Sequence, residues 1–522
     1  MSKTQQWMQP AGDYNAAVDM VDRNVAAGRG GKAAFIDPNE TLTYGELAER
    51  CNRFANGLRA LGISPERRVV LIMLDTVDMP VAFWGAIKAG VIPIPVNTLL
   101  TPEQWKFMID DSRAEAVVVS PELYERAKPR LDEVGARRDL KVLVSGAGVP
   151  GVASMRALMA EASPVAEAAP THADEVAFWL YSSGSTGAPK GTRHFHASPA
   201  HTAHWFGQGV LGIREDDVIY SAAKIFFAYG LGNAMSFPMS VGATTILWPE
   251  RPTPDAVAAI MAKHNPTIFC GVPTLYAAIL ANPALGKGAG SSRLRLCTSA
   301  GEALPEDIGS RWQQTTGVEI IDGIGSTEML HIFVSNRPGA VRYGTSGTPV
   351  PGYEARLLDD EGNVVPHGEI GELVIRGPSA AEGYWLQRGK SRATFRGEWT
   401  HTGDKYRVDA DGYYHYCGRT DDMFKVSGIW VSPFEVESAL ITHPAVFEAA
   451  VVGKEDEDGL TKPKAFVVLK PGIVGDDALF ESLKAHVKDR AGMWKYPRWI
   501  DLRSELPKTA TGKIQRFKLR QE

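Results

Sequence analysis

At 522 residues the chain is longer than one hydrophobic core organises, so a large domain with a smaller companion is expected. Its 44% hydrophobic and 22% charged residues are those of an ordinary globular protein. The net charge of −5, with no Lys/Arg run, argues against a nucleic-acid binder. Cys51, Cys270, Cys297 and Cys417 lie far apart with no Cys-x-x-Cys, which speaks against a zinc site and for reduced thiols in a cytoplasmic protein. No apolar signal region opens the chain. The longest apolar stretch, Val81 to Val96, is broken by Lys88, two glycines and two prolines, so no membrane partner is expected.

In chain order, Tyr44 to Leu61 carries the apolar spacing of an amphipathic helix. Arg68 to Leu74, Ala114 to Ser120 and Leu140 to Ser145 are short apolar runs that predict buried strands. Ala153 to Asp174, rich in Ala, Pro and Glu, predicts a surface connection. Val176 to Leu180 is another buried-strand run, and Pro254 to His264 a second amphipathic helix. This alternation predicts an α/β fold with mostly parallel sheets, whose carboxyl-end loops hold ligands. The pattern changes near Asp421. Short strands at Glu448 to Gly453 and Lys464 to Leu469, then a helix over Asp477 to Arg490, predict a small α+β domain of about a hundred residues. The expected division is 1–420 and 421–522, with no internal repeat.

Two segments carry the chemistry. Tyr181 to Gly191 reads Tyr-Ser-Ser-Gly-Ser-Thr-Gly-Ala-Pro-Lys-Gly, directly after a strand. Glycines let backbone approach an anion, hydroxyls add donors and Lys190 adds charge, as a polyphosphate requires. The common Gly-x-x-x-x-Gly-Lys loop does not match, because Pro189 stands where glycine should precede the lysine. Pro507 to Gln515 reads Pro-Lys-Thr-Ala-Thr-Gly-Lys-Ile-Gln and would present Lys513 on a turn. A second cation from the far end of the chain predicts a site closed over a nucleotide triphosphate.

The loop Ser182 to Lys190 strongly resembles the signature loop of the adenylate-forming superfamily, which includes acyl-CoA synthetases, adenylation domains and firefly-type luciferases. The family's further motifs recur in order: Ser299-Ala-Gly-Glu302, Ile324-Gly-Ser-Thr-Glu328, Thr402-Gly-Asp404, Gly418 to Lys425, and the Lys513 loop. The resemblance implies a large N-terminal domain of layered α/β subdomains and a mobile C-terminal α+β lid hinged at Asp421. It implies that Ser182, Ser183, Gly184, Thr186 and Lys190 hold phosphates, with Thr186 and Glu328 serving magnesium beside Thr327. Ala300, Gly301, Glu302, Asp322, Gly323 and Ile324 would border the nucleotide. Asp404 and Arg419 would take the ribose. Lys513 would bridge the α-phosphate and the substrate carboxylate, and Lys425 would belong to the thioester-forming face. Ile324 stands where the family often has an aromatic residue, so stacking on adenine is lost.

The run Ala222 to Asn233, with Asp322 to Phe333 and Lys508 to Lys518, looks very like the benzoate–CoA ligases within that superfamily. Phe227, Ala228, Tyr229 and Gly230, with Gly325, His331 and Ile332, would form a short flat slot for an aromatic ring. Tyr229 would block a fatty-acid tunnel, and His331 would meet either the carboxylate or a ring substituent. The implied reactants are an aryl carboxylate, ATP with Mg2+, and coenzyme A. Alternatives are a hydroxybenzoate or aminobenzoate ligase, or an adenylation enzyme loading a carrier protein. The chain stops at Glu522 without a carrier segment, which favours free CoA. A catalytically silent sensor would lack the charged set, and Glu328, Asp404, Arg419 and Lys513 are all present. A lysine acetyltransferase and deacetylase acting on Lys513, and a monomer or homodimer, complete the expected partners.

Overall fold

A computed structural model describes residues 9–146, 148–182, 189–282, 285–426, 429–457, 460–493, 495–508 and 514–521; of Lys425, Ile429 and Trp430 it describes the backbone. The first amphipathic pattern forms the helix Tyr44–Ala60. Thr43 caps it, accepting the Glu46 N–H at 3.2 Å while Glu46 takes the Thr43 N–H at 2.8 Å. Its face of Leu47, Cys51, Phe54 and Leu58 turns inward. The apolar stretch from Val81 belongs to the helix Asp78–Lys88, buried along its whole length, and the strand Ile92–Pro95. Among the described residues no helix is long and apolar enough to cross a membrane.

Two parallel sheets carry the large part of the molecule. In one, Ile92–Pro95, Arg68–Ile72, Ala116–Val119 and Lys141–Val144 lie side by side in that order. In the other, Ala33–Ile36, Thr244–Ile246, Val218–Ser221, Ile268–Gly271, Leu296–Ser299 and Ile320–Gly325 run parallel, flanked by antiparallel edge strands. The helix Pro254–His264 forms within the bounds read from the sequence, with Thr253 as its cap and Pro254 at its first position.

Antiparallel structure is more extensive than the alternation of patterns indicates. Val176–Ser182 pairs with Lys190–Phe195, which pairs in turn with Gly383–Tyr384. Glu354–Leu358, Gly371–Arg376, Trp399–Val408 and Tyr414–Arg419 form a second antiparallel sheet. The segment read as a plain surface connection contains the helix Met155–Glu161, because Ser154 caps it and Met155 and Met159 find buried positions.

The C-terminal part has its own core, built from Val431, Val436, Leu440, Val451, Val467, Leu483 and Val487. Here Val446–Glu455 pairs antiparallel with Thr461–Leu469, which runs parallel to Trp499–Leu502, and Pro433–Ile441 and Asp477–Ala491 are its helices. Asp421 is exposed in the turn that follows Tyr414–Arg419. The tail is tied down by Arg516, whose Nε and Nη2 donate to the two Glu437 oxygens at 3.0 and 2.6 Å. Glu437 is 4% exposed and also accepts the Val451 N–H at 2.8 Å. Arg516 lies 3.7 Å from Asp422, which also pairs with Arg520. Removing one partner strands a buried charge. Arg516→Met is therefore expected to cost the C-terminal part about 3 kcal/mol, read as a lower urea midpoint, with Glu437→Gln recovering part of the loss in the same background.

Candidate active site

Strands Leu296–Ser299 and Ile320–Gly325 are neighbours in the parallel sheet, with Ser299 opposite Asp322. Both carboxyl ends lie on the same side of the sheet, carrying Ala300-Gly301-Glu302 from one and, after the strand runs on past Asp322 to Gly325, Ser326-Thr327-Glu328 from the other. The turn Thr327–Met329 is closed by the Met329 N–H donating to Ser326 Oγ at 3.3 Å. The Glu328 carbonyl accepts the Ala381 N–H at 2.8 Å, so this residue is fixed from two directions. Residues 324 to 328 are all half-buried, as the lining of a cleft would be.

Lys190 enters the same cleft from the start of Lys190–Phe195, where it pairs in register with Ser182. Its Nζ lies 3.9 Å from Glu328 Oε1 and donates to the Tyr384 hydroxyl at 3.2 Å. That hydroxyl donates to Glu328 Oε1 at 2.7 Å. Burial pulls the Lys190 pKa below the ordinary lysine value, and Glu328 opposes the shift. Among the described residues no three His, Cys, Asp or Glu side chains converge on one point. A single half-buried carboxylate suits Mg2+, which keeps its waters and takes most remaining ligands from substrate phosphates. The donor set thus fits that ion through Glu328.

Beside this cluster, Asp404 and Arg419 face each other across Trp399–Val408 and Tyr414–Arg419. Arg419 Nη1 donates to Asp404 Oδ1 and to the Thr402 carbonyl, each at 3.1 Å. Asp404 raises the Arg419 pKa, while the charge of Arg419 also acts on Lys190 and Glu328. The carboxylate, ammonium and guanidinium groups therefore share one electrostatic neighbourhood.

Two of the residues expected to form the aromatic slot gather beside the Leu296–Ser299 strand. Tyr229 donates to the Thr298 carbonyl at 2.9 Å, and His331 Nε2 lies 3.2 Å from the Tyr229 carbonyl. A carbonyl only accepts, so Nε2 carries the proton. The imidazole sits 4.5 Å from the Phe237 ring and 5.1 Å from Phe206, and burial drives its pKa down to about 3. The slot tolerates no extra atoms behind it. A Cβ at Gly230 would stand 2.0 Å from the Lys224 carbonyl oxygen, and one at Gly232 would stand 2.4 Å from His331.

Residues 22–385 match the family model described as AMP-binding enzyme, and residues 435–513 match its C-terminal domain. The chain belongs to the adenylate-forming, AMP-binding enzymes. It is 59% identical to a benzoate–CoA ligase of Thauera aromatica, over 97% of this chain and 96% of that protein. A crystal structure of a benzoate CoA ligase from Burkholderia xenovorans superposes with a TM-score of 0.90 at 53% identity, covering 97% of this chain and 100% of that one. An anthranilate CoA ligase in complex with anthranoyl-AMP superposes with a TM-score of 0.92 at 44% identity, covering 98% of this chain and 97% of that one.

For this adenylate-forming enzyme the structure brings together Lys190, Glu328, Asp404 and Arg419, and separately Tyr229 with His331, and Gly325 with Ile332. Ser183, Gly184, Thr186 and Lys513 lie outside the described residues, as does the side chain of Lys425. His331, read as meeting either the carboxylate or a ring substituent, bonds the Tyr229 carbonyl through Nε2 among aromatic neighbours and is held neutral by burial, while its Nδ1 has no partner among the described residues. Sequence reasoning missed Tyr384. The signal available was Gly383-Tyr384-Trp385, an aromatic pair after a glycine, in which Trp385 donates to the Asp111 carbonyl at 2.9 Å.

Asp322 is 3% exposed, with the Leu304 N–H 3.4 Å from Oδ2 and no partner for Oδ1 among the described residues. Burial pushes its pKa up to about 8. The folded chain then holds a proton that the unfolded chain releases near pH 4, so stability falls as pH rises through that window. Asp322→Asn removes this dependence. Its calorimetric midpoint is expected to gain on that of the unmodified enzyme between pH 5 and pH 8, and parallel pH profiles would reject the assignment.

Proposed function

We propose that the chain is an ATP-dependent aryl-acid–CoA ligase that converts benzoate, ATP and CoA to benzoyl-CoA, AMP and pyrophosphate through a benzoyl-adenylate. The observation that carries this reading is the juxtaposition of an uncharged aromatic slot and a charged cleft at the ends of the same two strands. The names of the similar proteins point the same way. Joining a carboxylate to a polyphosphate brings two anions together, so neutralised charge and fixed orientation are what the enzyme must supply. The slot of Phe227, Ala228, Tyr229, Gly230 and Ile332 takes the ring by shape and aromatic contact, leaving its carboxylate toward the cleft.

In the cleft, Lys190 and the loop Ser182 to Thr186 hold the β- and γ-phosphates. Asp404 and Arg419 take the ribose hydroxyls, and Ile324 packs on the base beside Ala300, Gly301 and Gly323. Glu328 would hold Mg2+, which would supply positive charge against the phosphates. A carboxylate oxygen attacks the α-phosphorus, the bond to pyrophosphate breaks, and Lys513 stabilises the charge that develops between them. Residues 421–522 then turn about Asp421 as a lid. Lys513 withdraws, Lys425 approaches, and the CoA thiol attacks the acyl carbon with AMP leaving.

This division of labour makes the half-reactions separable. Lys513→Ala is expected to lower pyrophosphate release with benzoate and ATP by about 100-fold, the cost of one lost electrostatic stabiliser. Thioester formation from preformed benzoyl-adenylate and CoA should change far less, and equal losses in both would refute the scheme. CoA-dependent AMP release across benzoate, hydroxybenzoates, aminobenzoates and hexanoate tests the slot. Benzoate is expected to lead, and a preference for hexanoate would overturn the reading.

A further inference from the structure

We infer that Tyr384 is a positioning residue that holds Lys190 and Glu328 apart, so that both remain available to a magnesium–polyphosphate ligand. The inference rests on the roles proposed above for those two residues. A lysine and a glutamate this close would otherwise meet directly, with N⁺–H···O⁻ distances near 2.8 Å. Here the separation is 3.9 Å, and the Tyr384 hydroxyl engages both groups from one side. It donates its one hydrogen to Glu328 Oε1 at 2.7 Å and accepts from Lys190 Nζ at 3.2 Å. Nζ also stands 4.3 Å above the Tyr384 ring centroid, a second attraction drawing it away from the carboxylate.

The phenol cannot drift with its partners, because its surroundings fix it. Tyr384 is 4% exposed, pairs in register with Thr192, and donates its N–H to Ser391 Oγ at 2.9 Å. Its ring packs 5.5 Å from Phe395, and the adjoining Trp385 is anchored to Asp111. Without the hydroxyl, the partly desolvated lysine closes on Glu328, and a magnesium-bound nucleotide must break that pair before it binds.

Tyr384→Phe removes only the hydroxyl. With Mn2+ as a paramagnetic probe and ATP, without aryl acid, the variant is expected to bind the metal–nucleotide roughly tenfold more weakly, the scale of one hydrogen bond to a charged group. KM for magnesium-ATP should rise by a similar factor, with thioester formation from preformed benzoyl-adenylate and the thermal midpoint unchanged. In a Glu328→Gln background the same substitution should add nothing, whereas a merely structural loss would persist there. If Glu328→Gln alone leaves Mn2+ binding intact, the magnesium role of Glu328 fails. If Glu328→Gln weakens it but Tyr384→Phe binds as the unmodified enzyme does, the positioning role of Tyr384 is overturned.

Discussion

The parallel ladder that sets Ser299 opposite Asp322 decides where everything else in the cleft can stand. The Ala300-Gly301-Glu302 turn leaves the sheet at Ser299, while the neighbouring strand runs on from Asp322 to Gly325 before the Ser326-Thr327-Glu328 turn. A register slip by one residue would turn every side chain to the other face, and Glu328 would leave its place beside Lys190. The Ile332–Ser335 strand lies outside Ile320–Gly325, pairing with Ile324 and Gly323, and Thr348–Pro349 forms the edge beyond. Precision at the site is thus inherited from the middle of a large sheet, where hydrogen bonds on both sides leave little room for adjustment.

Around that fixed centre, the remaining contributors arrive from two further sheets. Lys190 comes from the Lys190–Phe195 strand, Tyr384 from the short strand pairing with it, and the Asp404–Arg419 pair from the antiparallel sheet. Trp385 binds this assembly to the helix Pro102–Asp111 through the Asp111 carbonyl, and the Asp111 carboxylate accepts the Tyr181 hydroxyl at 2.6 Å. Trp179 packs against Trp385 with ring centroids 5.0 Å apart. One aromatic girder therefore connects the strand that launches the phosphate loop to the strand that carries Tyr384.

What could be read in the sequence was whatever has a local cause. Pro254–His264 was legible because cap, first-position proline and apolar spacing all lie within the segment. The buried parallel strands were legible as unbroken apolar runs. Lys190, Glu328, Asp404 and Arg419 were legible because their motifs keep family order along the chain. The antiparallel sheet was not, because Gly371–Arg376 and Trp399–Val408 become strands by pairing with each other rather than by pattern alone. Tyr384 was not, because its partner Lys190 is 194 residues away and nothing local marks the contact. The state of Asp322 was hidden for a related reason: a carboxyl group keeps its proton only when the finished fold withholds water from it.

Trapping the His331 ring has a consequence for acidity. The Tyr229 phenol is held neutral by burial as well, so neither wall of the slot gains or loses charge between mildly acidic and mildly alkaline conditions. An aromatic acid entering there meets the same uncharged surface across that range. These two side chains therefore present an unchanging charge to the ring, and the buried carboxyl of Asp322, which acts on Tyr229, is the nearby group that titrates within that range.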